Sequence, residues 1–228
     1  MLLLRGAEPD PEAPPAAEAA GPDLGEGPMR LGTALRSRVY LAALLANFGV
    51  GWVLFGVRNS LVPLYVTEEL GRTVAWAGAG LLAGSAAQAL GLLRSGRLVD
   101  GWGRRPSLVL GAALGTAAMA ILAGPPAVVP FLVSMAVFGL AASLLASAPA
   151  ALVGDLTAGR GGRVVAVFQM SADLGAIAGP LVAGWLTDAV SFQAAFAVST
   201  AVLAAGLAGG LLIPRRAARP AAVPAATP

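Results

Sequence analysis

The segment RSGRLVDGWGRR, Arg94 to Arg105, gathers four arginines and one aspartate between two runs that carry no charge at all, Val74–Leu93 and Leu108–Ala123. Each of those runs approaches the roughly 20 apolar residues that a helix needs to cross the ~30 Å hydrocarbon core of a bilayer. A cluster of charge between two such runs reads as a short polar connection between two membrane spans. The rest of the chain supports that reading. Only 12% of its 228 residues are charged and 57% are apolar. Soluble domains carry about 25% charged residues. The mean hydropathy is +0.78.

Apolar runs recur on both sides of the segment. Six spans are expected, over Val39–Val57 (extending toward Val66), Val74–Leu93, Leu108–Ala123, Val129–Val153, Val164–Leu186 and Phe192–Ile213. Pro63, Pro149 and Pro180 lie in or beside these spans. Each lacks a backbone donor and is expected to bend or end its helix. The fold class is therefore all-α and integral to the membrane, a single six-helix bundle over 36–213. Residues 1–35 form an acidic, Pro-rich segment with six acidic residues between Gly6 and Pro28 and no periodicity, which reads as disorder. Residues 214–228 form an Arg-, Pro- and Ala-rich tail. The opening MLLL is too short, and has no basic residue before it, to read as a signal peptide.

Charge alternates along the connections. Arg30, Arg36 and Arg38 precede the first span, and Arg94, Arg97, Arg104 and Arg105 join the second to the third. Arg160 and Arg163 join the fourth to the fifth, and Arg215, Arg216 and Arg219 follow the sixth. The intervening connections hold Glu68, Glu69 and Arg72, then no charge, then Asp188. Lys and Arg accumulate in cytoplasmic loops, so the arginine-rich connections and both termini are expected in the cytoplasm of a plasma-membrane protein. Six spans require the same parity.

Several function classes fall away. There is no Cys and no His, so disulfides, thiolate catalysis, Cys or His metal sites and His-based general bases are excluded. The carboxylates are scattered rather than clustered, which argues against a membrane-embedded enzyme. No GxxxxGK[ST] phosphate loop is present to use ATP, and no cofactor is expected. The formal charge of +3 lies in short loops beside apolar spans and does not point to nucleic acid.

The order Gly96, Leu98, Asp100, Gly103, Arg104, Arg105 resembles the signature loop of the major facilitator superfamily. The departure is Gly101, where that family commonly has a basic residue. The resemblance implies a transporter half-bundle in which Asp100 and Arg104 belong to a cytoplasmic latch that forms and breaks as the transporter changes state. Asp155, followed by Arg160 and Arg163, resembles the acidic-then-basic connection between a half's fourth and fifth helices. Asp155 read alone is equally a simple helix-end acceptor. The acidic tail and the stretch Asn47–Gly71 resemble the central loop and seventh helix of drug- or sugar-efflux-like members, implying the C-terminal half. Such transporters have two six-helix halves. The implied partners are a small-molecule substrate, protons, the lipid bilayer, and either a missing six-helix half or a second copy of this chain. The alternative is a non-transporting scaffold or an inactive transporter fragment.

Polar residues inside the spans are the remaining candidates. Asp173 lies about ten residues, or ~15 Å, into the fifth span. A carboxylate there is costly and reads either as a proton-coupling or cation site or as a structural partner of a neighbouring helix. Arg58 is its expected counter-charge. Alternatively Arg58 snorkels to the outer headgroups or binds an anionic ligand group. Asn47 and Gln88 are further cavity candidates, and Gln169 shares a helical face with Asp173. Gly175, Gly179, Pro180 and Gly184 read as a close-packing surface. Trp52, Trp76 and Trp185 read as packing or interface residues and Tyr65 as an outer-interface anchor.

Overall fold

The computed structural model describes residues 30–157 and 161–213. The expectations for the N-terminal acidic segment, for Arg160 and for residues 214–228 lie outside the described residues. After a short helix, Leu31–Ala34, come six helices long and apolar enough to cross a membrane. They are Arg38–Glu69, Val74–Trp102, Arg104–Leu122, Val128–Thr157, Gly162–Ala189 and Phe192–Leu211, here spans one to six.

Most spans run further than hydropathy alone indicates. Span two continues through the charged segment to Trp102, so Arg94, Arg97 and Asp100 lie on helix rather than in a loop. These residues are compatible with helix, and the chain turns only at Gly103, whose φ of 99° and ψ of 156° suit a residue without a Cβ. Pro63, Pro149 and Pro180 all lie inside helices and end none of them. Neighbouring helices and hydroxyls re-satisfy the backbone groups a proline frees. Span one also contains two π-helical segments, Gly51–Val57 and Tyr65–Glu69.

The packing has an internal symmetry. Span one packs on spans five and six, and span four packs on spans two and three. Spans one and four touch, as do spans three and six. Exchanging one with four, two with five and three with six leaves this pattern unchanged. Two trios of opposite direction are thereby related, the arrangement of an inverted repeat.

Glycines hold the two main crossings. A Cβ on Gly51 or Gly175 would run into backbone of the opposite helix, at the Ala172 and Phe48 carbonyls respectively. At the equivalent crossing of spans two and four, a Cβ on Gly139 would strike the Gly84 carbonyl. Pro180 packs against Gly56, and a Cβ on Gly179 would lie 2.6 Å from the Trp52 carbonyl oxygen. Close backbone approach of this kind drives helix association in lipid, where burial of apolar surface gains little. Gly175, Gly179 and Pro180 all face span one. Gly184 has open space beside it.

A cluster at the end away from the arginines closes the bundle. Tyr65 is 2% exposed and sits among Phe131, Phe192 and Phe196, with ring centroids 6.3, 5.8 and 5.2 Å away. It is a core residue, not an interface anchor, because its ring fills the space among these three phenyl rings. Trp52 is also internal, with its indole N–H donating to Ser199 (3.1 Å). Trp76 and Trp185 face outward.

The crossings generate a test. Gly51→Val and Gly139→Val should each cost about 1–3 kcal/mol, the range for overpacking. Gly78→Val, where a Cβ meets nothing within 4 Å, should stay within ~0.5 kcal/mol. Thermal unfolding in detergent, followed by tryptophan fluorescence, reads the difference. Equal losses at all three positions would remove the packing argument.

Candidate functional site

Two groups of polar residues stand out, one at the arginine-rich end and one within the spans. At the arginine-rich end Arg104 opens span three and pairs with Asp155 near the end of span four. Arg105 donates to the carbonyl of Leu211, the last residue of span six (2.8 Å). The turn at Gly103 thus ties three spans together. Arg105 is well placed, since the last carbonyls of a helix lack partners and carry partial negative charge. Arg104 and Asp155 are both badly placed with respect to their own helices. A cation at a helix N-terminus and an anion at a C-terminus each oppose the dipole, so their ion pair has to offset two local penalties.

The aspartate that carries the ion pair is Asp155. Asp100 lies in the last turn of span two, exposed, and forms no ion pair among the described residues. Gly96 on the same face has nothing within 4 Å of a Cβ, and Leu98 is half-buried. Arg163, the second residue of span five, is exposed. Sequence spacing brings Asp100 and Arg104 close along the chain, but span two delivers the carboxylate to the outside of the bundle.

Within the spans, Arg58 is buried, with 7% of its surface exposed. Its Nη2 donates to the Leu81 carbonyl (3.0 Å) and to the Ser85 hydroxyl (3.2 Å), both on span two. A Cβ on Gly84 would come within 2.9 Å of this nitrogen, so the glycine makes the room. Arg58 Nε is buried with no partner. The side chain neither snorkels nor meets Asp173. It follows the first π-helical segment of span one, which carries it toward span two, whereas Asp173 lies on span five. Gly84 and Ser85 were not among the sequence candidates. The small residues at Gly80 and Gly84, one turn apart, were the available signal.

Asn47 is also used internally. Its Nδ2 donates to the Phe168 carbonyl (2.7 Å) and to Ser171 (3.3 Å), clamping span one to span five. Gln88 is half-buried on span two.

Asp173 and Gln169 differ from all of these. Both are exposed and lie on one face of span five, together with Ile177 at 63% and Leu181 at 69% exposure. Asp173 is 11 residues after the start of the helix at Gly162, or about 16 Å along it, and 16 residues before its end at Ala189. It makes no ion pair among the described residues. Spans two and five are the least covered, with 17% and 22% of their apolar windows buried against 67% for span one. Span five therefore presents an uncovered side with a carboxylate part-way along it. Intramembrane carboxylates almost always face protein or water rather than lipid.

The comparisons with known proteins agree with this architecture. The family model described as Major Facilitator Superfamily matches residues 43–228. Among solved structures the chain is similar to the peptide transporter POT in complex with sulfate, at 23% identity and a TM-score of 0.70. That similarity covers 81% of this chain and 39% of that one. It is similar also to a POT family transporter in complex with a thioalcohol conjugated peptide, at 23% identity and a TM-score of 0.68, over 78% of this chain and 38% of that one. At such identities the likeness is one of fold, and the chain spans about two fifths of those proteins' length. A search of curated proteins found no match. The chain is a multi-pass membrane protein that belongs to the major facilitator superfamily.

Proposed function

We propose that this chain is one six-helix half of a secondary active transporter, which moves a small organic solute by alternating access. The observation that carries the proposal is Asp173, an exposed carboxylate part-way along span five, one of the two least covered spans. A facing six-helix bundle, the other half of a longer protein or a second copy of this chain, completes the cavity. Asp173 then binds and releases the coupling proton, with Gln169 one turn away on the same face. Gln88, on the other uncovered span, is the further candidate for solute contact. Arg58 and Asn47 hold span one against spans two and five, and so position the cavity wall rather than the solute.

The family's efflux-type members are the favoured relatives, and this chain is read as the C-terminal half. What supports that reading is the resemblance of the Asn47–Gly71 stretch to their seventh helix. The arginine-rich end is placed in the cytoplasm and the protein in the plasma membrane, following the distribution of arginine. At the cytoplasmic end Asp100 is the latch residue. It sits exposed at the end of span two, where a helix of the facing bundle can reach it. Arg104 and Asp155 brace the turn from within. The transport itself needs no covalent chemistry and no cofactor.

Asp173→Asn should abolish solute flux driven by a pH gradient while leaving solute exchange across the membrane intact, and Asp173→Glu should keep both. Proteoliposomes with a trapped pH-sensitive dye, screened with dipeptides and amphipathic organic cations, measure this. Gradient-driven flux that survives Asp173→Asn would sink the coupling role. No flux from the assembled protein for any solute would favour a non-transporting scaffold.

The Arg104–Asp155 brace makes a second prediction. Each single reversal, Arg104→Asp or Asp155→Arg, loses a pair worth about 0.2–1 kcal/mol but gains ~0.3–1 kcal/mol at its own helix end, so each should lie near the wild type. The double reversal should exceed the wild type, because each charge then favours its helix dipole by ~0.3–1 kcal/mol. Thermal unfolding at low salt decides it. A double reversal no more stable than either single change would mean that the pair does not span the two helices.

A further inference from the structure

The internal symmetry exchanges spans two and five, and their last turns carry the same pattern. Gly96, Leu98 and Asp100 stand near the end of span two, and Gly184, Leu186 and Asp188 near the end of span five. Three residues after each aspartate stands the N-cap of the next span, Gly103 in one case and Ser191 in the other. The cross-links obey the same exchange. Arg104 at the start of span three holds Asp155 near the end of span four. Gln193 at the start of span six donates to Glu69 at the end of span one (2.9 Å). Spans two and five run in opposite directions, so the two patterns lie at opposite ends of the bundle.

Both patterns are bare. A Cβ added to Gly96 or to Gly184 meets nothing within 4 Å. Asp100 and Asp188 are both exposed, and neither forms an ion pair among the described residues. Each aspartate follows its glycine by four residues, so the pair shares one helical face. A carboxylate in the last turn of a helix opposes the dipole, so neither aspartate stabilises the helix that carries it. Each instead presents a negative charge one turn from a glycine with open space beside it.

We infer that Asp188 is the counterpart of Asp100 at the opposite end of the molecule. It takes an arginine or lysine from a helix end of the facing six-helix bundle, and Gly184 is the open backbone against which that helix end seats. The positive charge is not supplied locally. Where the arginine-rich end has Arg104 and Arg105 at the start of span three, this end has Phe192 and Gln193 at the start of span six. Arg72, in the neighbouring connection, makes no ion pair with Asp188. The inference rests on the alternating-access reading above. In that cycle one end closes as the other opens, so the two aspartates bias one equilibrium in opposite directions.

The chain contains no cysteine, so introduced thiols report without background. Ala75→Cys, at the Asp188 end of span two, and Ala166→Cys, at the Asp100 end of span five, both replace exposed residues on the uncovered spans. Their reaction rates with a water-soluble maleimide are measured in native membranes permeabilised to the reagent on both sides. Asp100→Asn should raise the rate at position 166 and lower it at 75. Asp188→Asn should do the reverse, by about fivefold, the size of a modest shift in a two-state equilibrium. Asp188→Glu should keep the wild-type ratio, and a single symmetrical peak on size exclusion confirms that each variant is folded. If Asp100→Asn moves the ratio and Asp188→Asn leaves it unchanged, or moves it the same way, the inference falls and the transport reading stands. If neither moves it, neither aspartate biases the two states, and the latch role of Asp100 falls together with the inference.

Discussion

The constraint on which the bundle depends is the contact of backbone with backbone at two crossings. Lipid tails are as apolar as leucine, so a membrane helix gains little by burying leucines against another helix. It gains by fitting. Gly51 and Gly175 let spans one and five meet at their carbonyls, and Gly84 and Gly139 do the same for spans two and four. Everything central follows from this. Span one is drawn inside, so that its polar residues must find protein partners. Asn47 finds Phe168 and Ser171, Arg58 finds Leu81 and Ser85, and Trp52 finds Ser199.

The same two crossings dictate what is left uncovered. A helix that spends its glycine face on one neighbour has its other faces free, and spans two and five pack mainly on one partner each. Their outer faces differ from an ordinary lipid-facing surface. Leu174, Ile177 and Leu181 would suit lipid, but Asp173 on the same helix would not. A carboxylate at that depth requires protein or water in front of it. The facing bundle proposed above would place protein or a water-filled cavity in front of this one charged residue in an apolar wall.

Much of the architecture was legible in the sequence, because it depends on quantities that a sequence carries directly. Span number comes from apolar length, and the family resemblance comes from the spacing of Gly96, Asp100, Gly103 and Arg104. What a sequence does not carry is the rotation of a helix about its axis. The π-helical segment before Arg58 changes that rotation, and a guanidinium expected beside Asp173 packs against span two instead. Tyr65, expected at the interface, was misread for the same reason. Helix ends were misjudged where charge was taken for a break. Arg94 to Trp102 is polar but helical, and only the positive φ of Gly103 ends it. Gly175 and Gly179 behave as small residues in a packed face should, whereas Gly184, alike in sequence, has no neighbour.

The orientation of the Arg104–Asp155 pair is the remaining clue to what was selected. Stability alone would place the acid at the start of span three and the base at the end of span four, where both helix dipoles would favour them. The chain has the opposite arrangement, with Asp100 left unsatisfied in a third unfavourable position. Placing three charges against three helix ends gains nothing for the isolated bundle. It does leave Asp100 at the arginine-rich end as a carboxylate that its own helix stabilises poorly and that no described residue pairs, which on the proposed reading a second body pairs when it closes and leaves when it opens. Charges held this way are cheap to exchange between partners. On the proposed reading, that property suits a contact that is repeatedly made and broken.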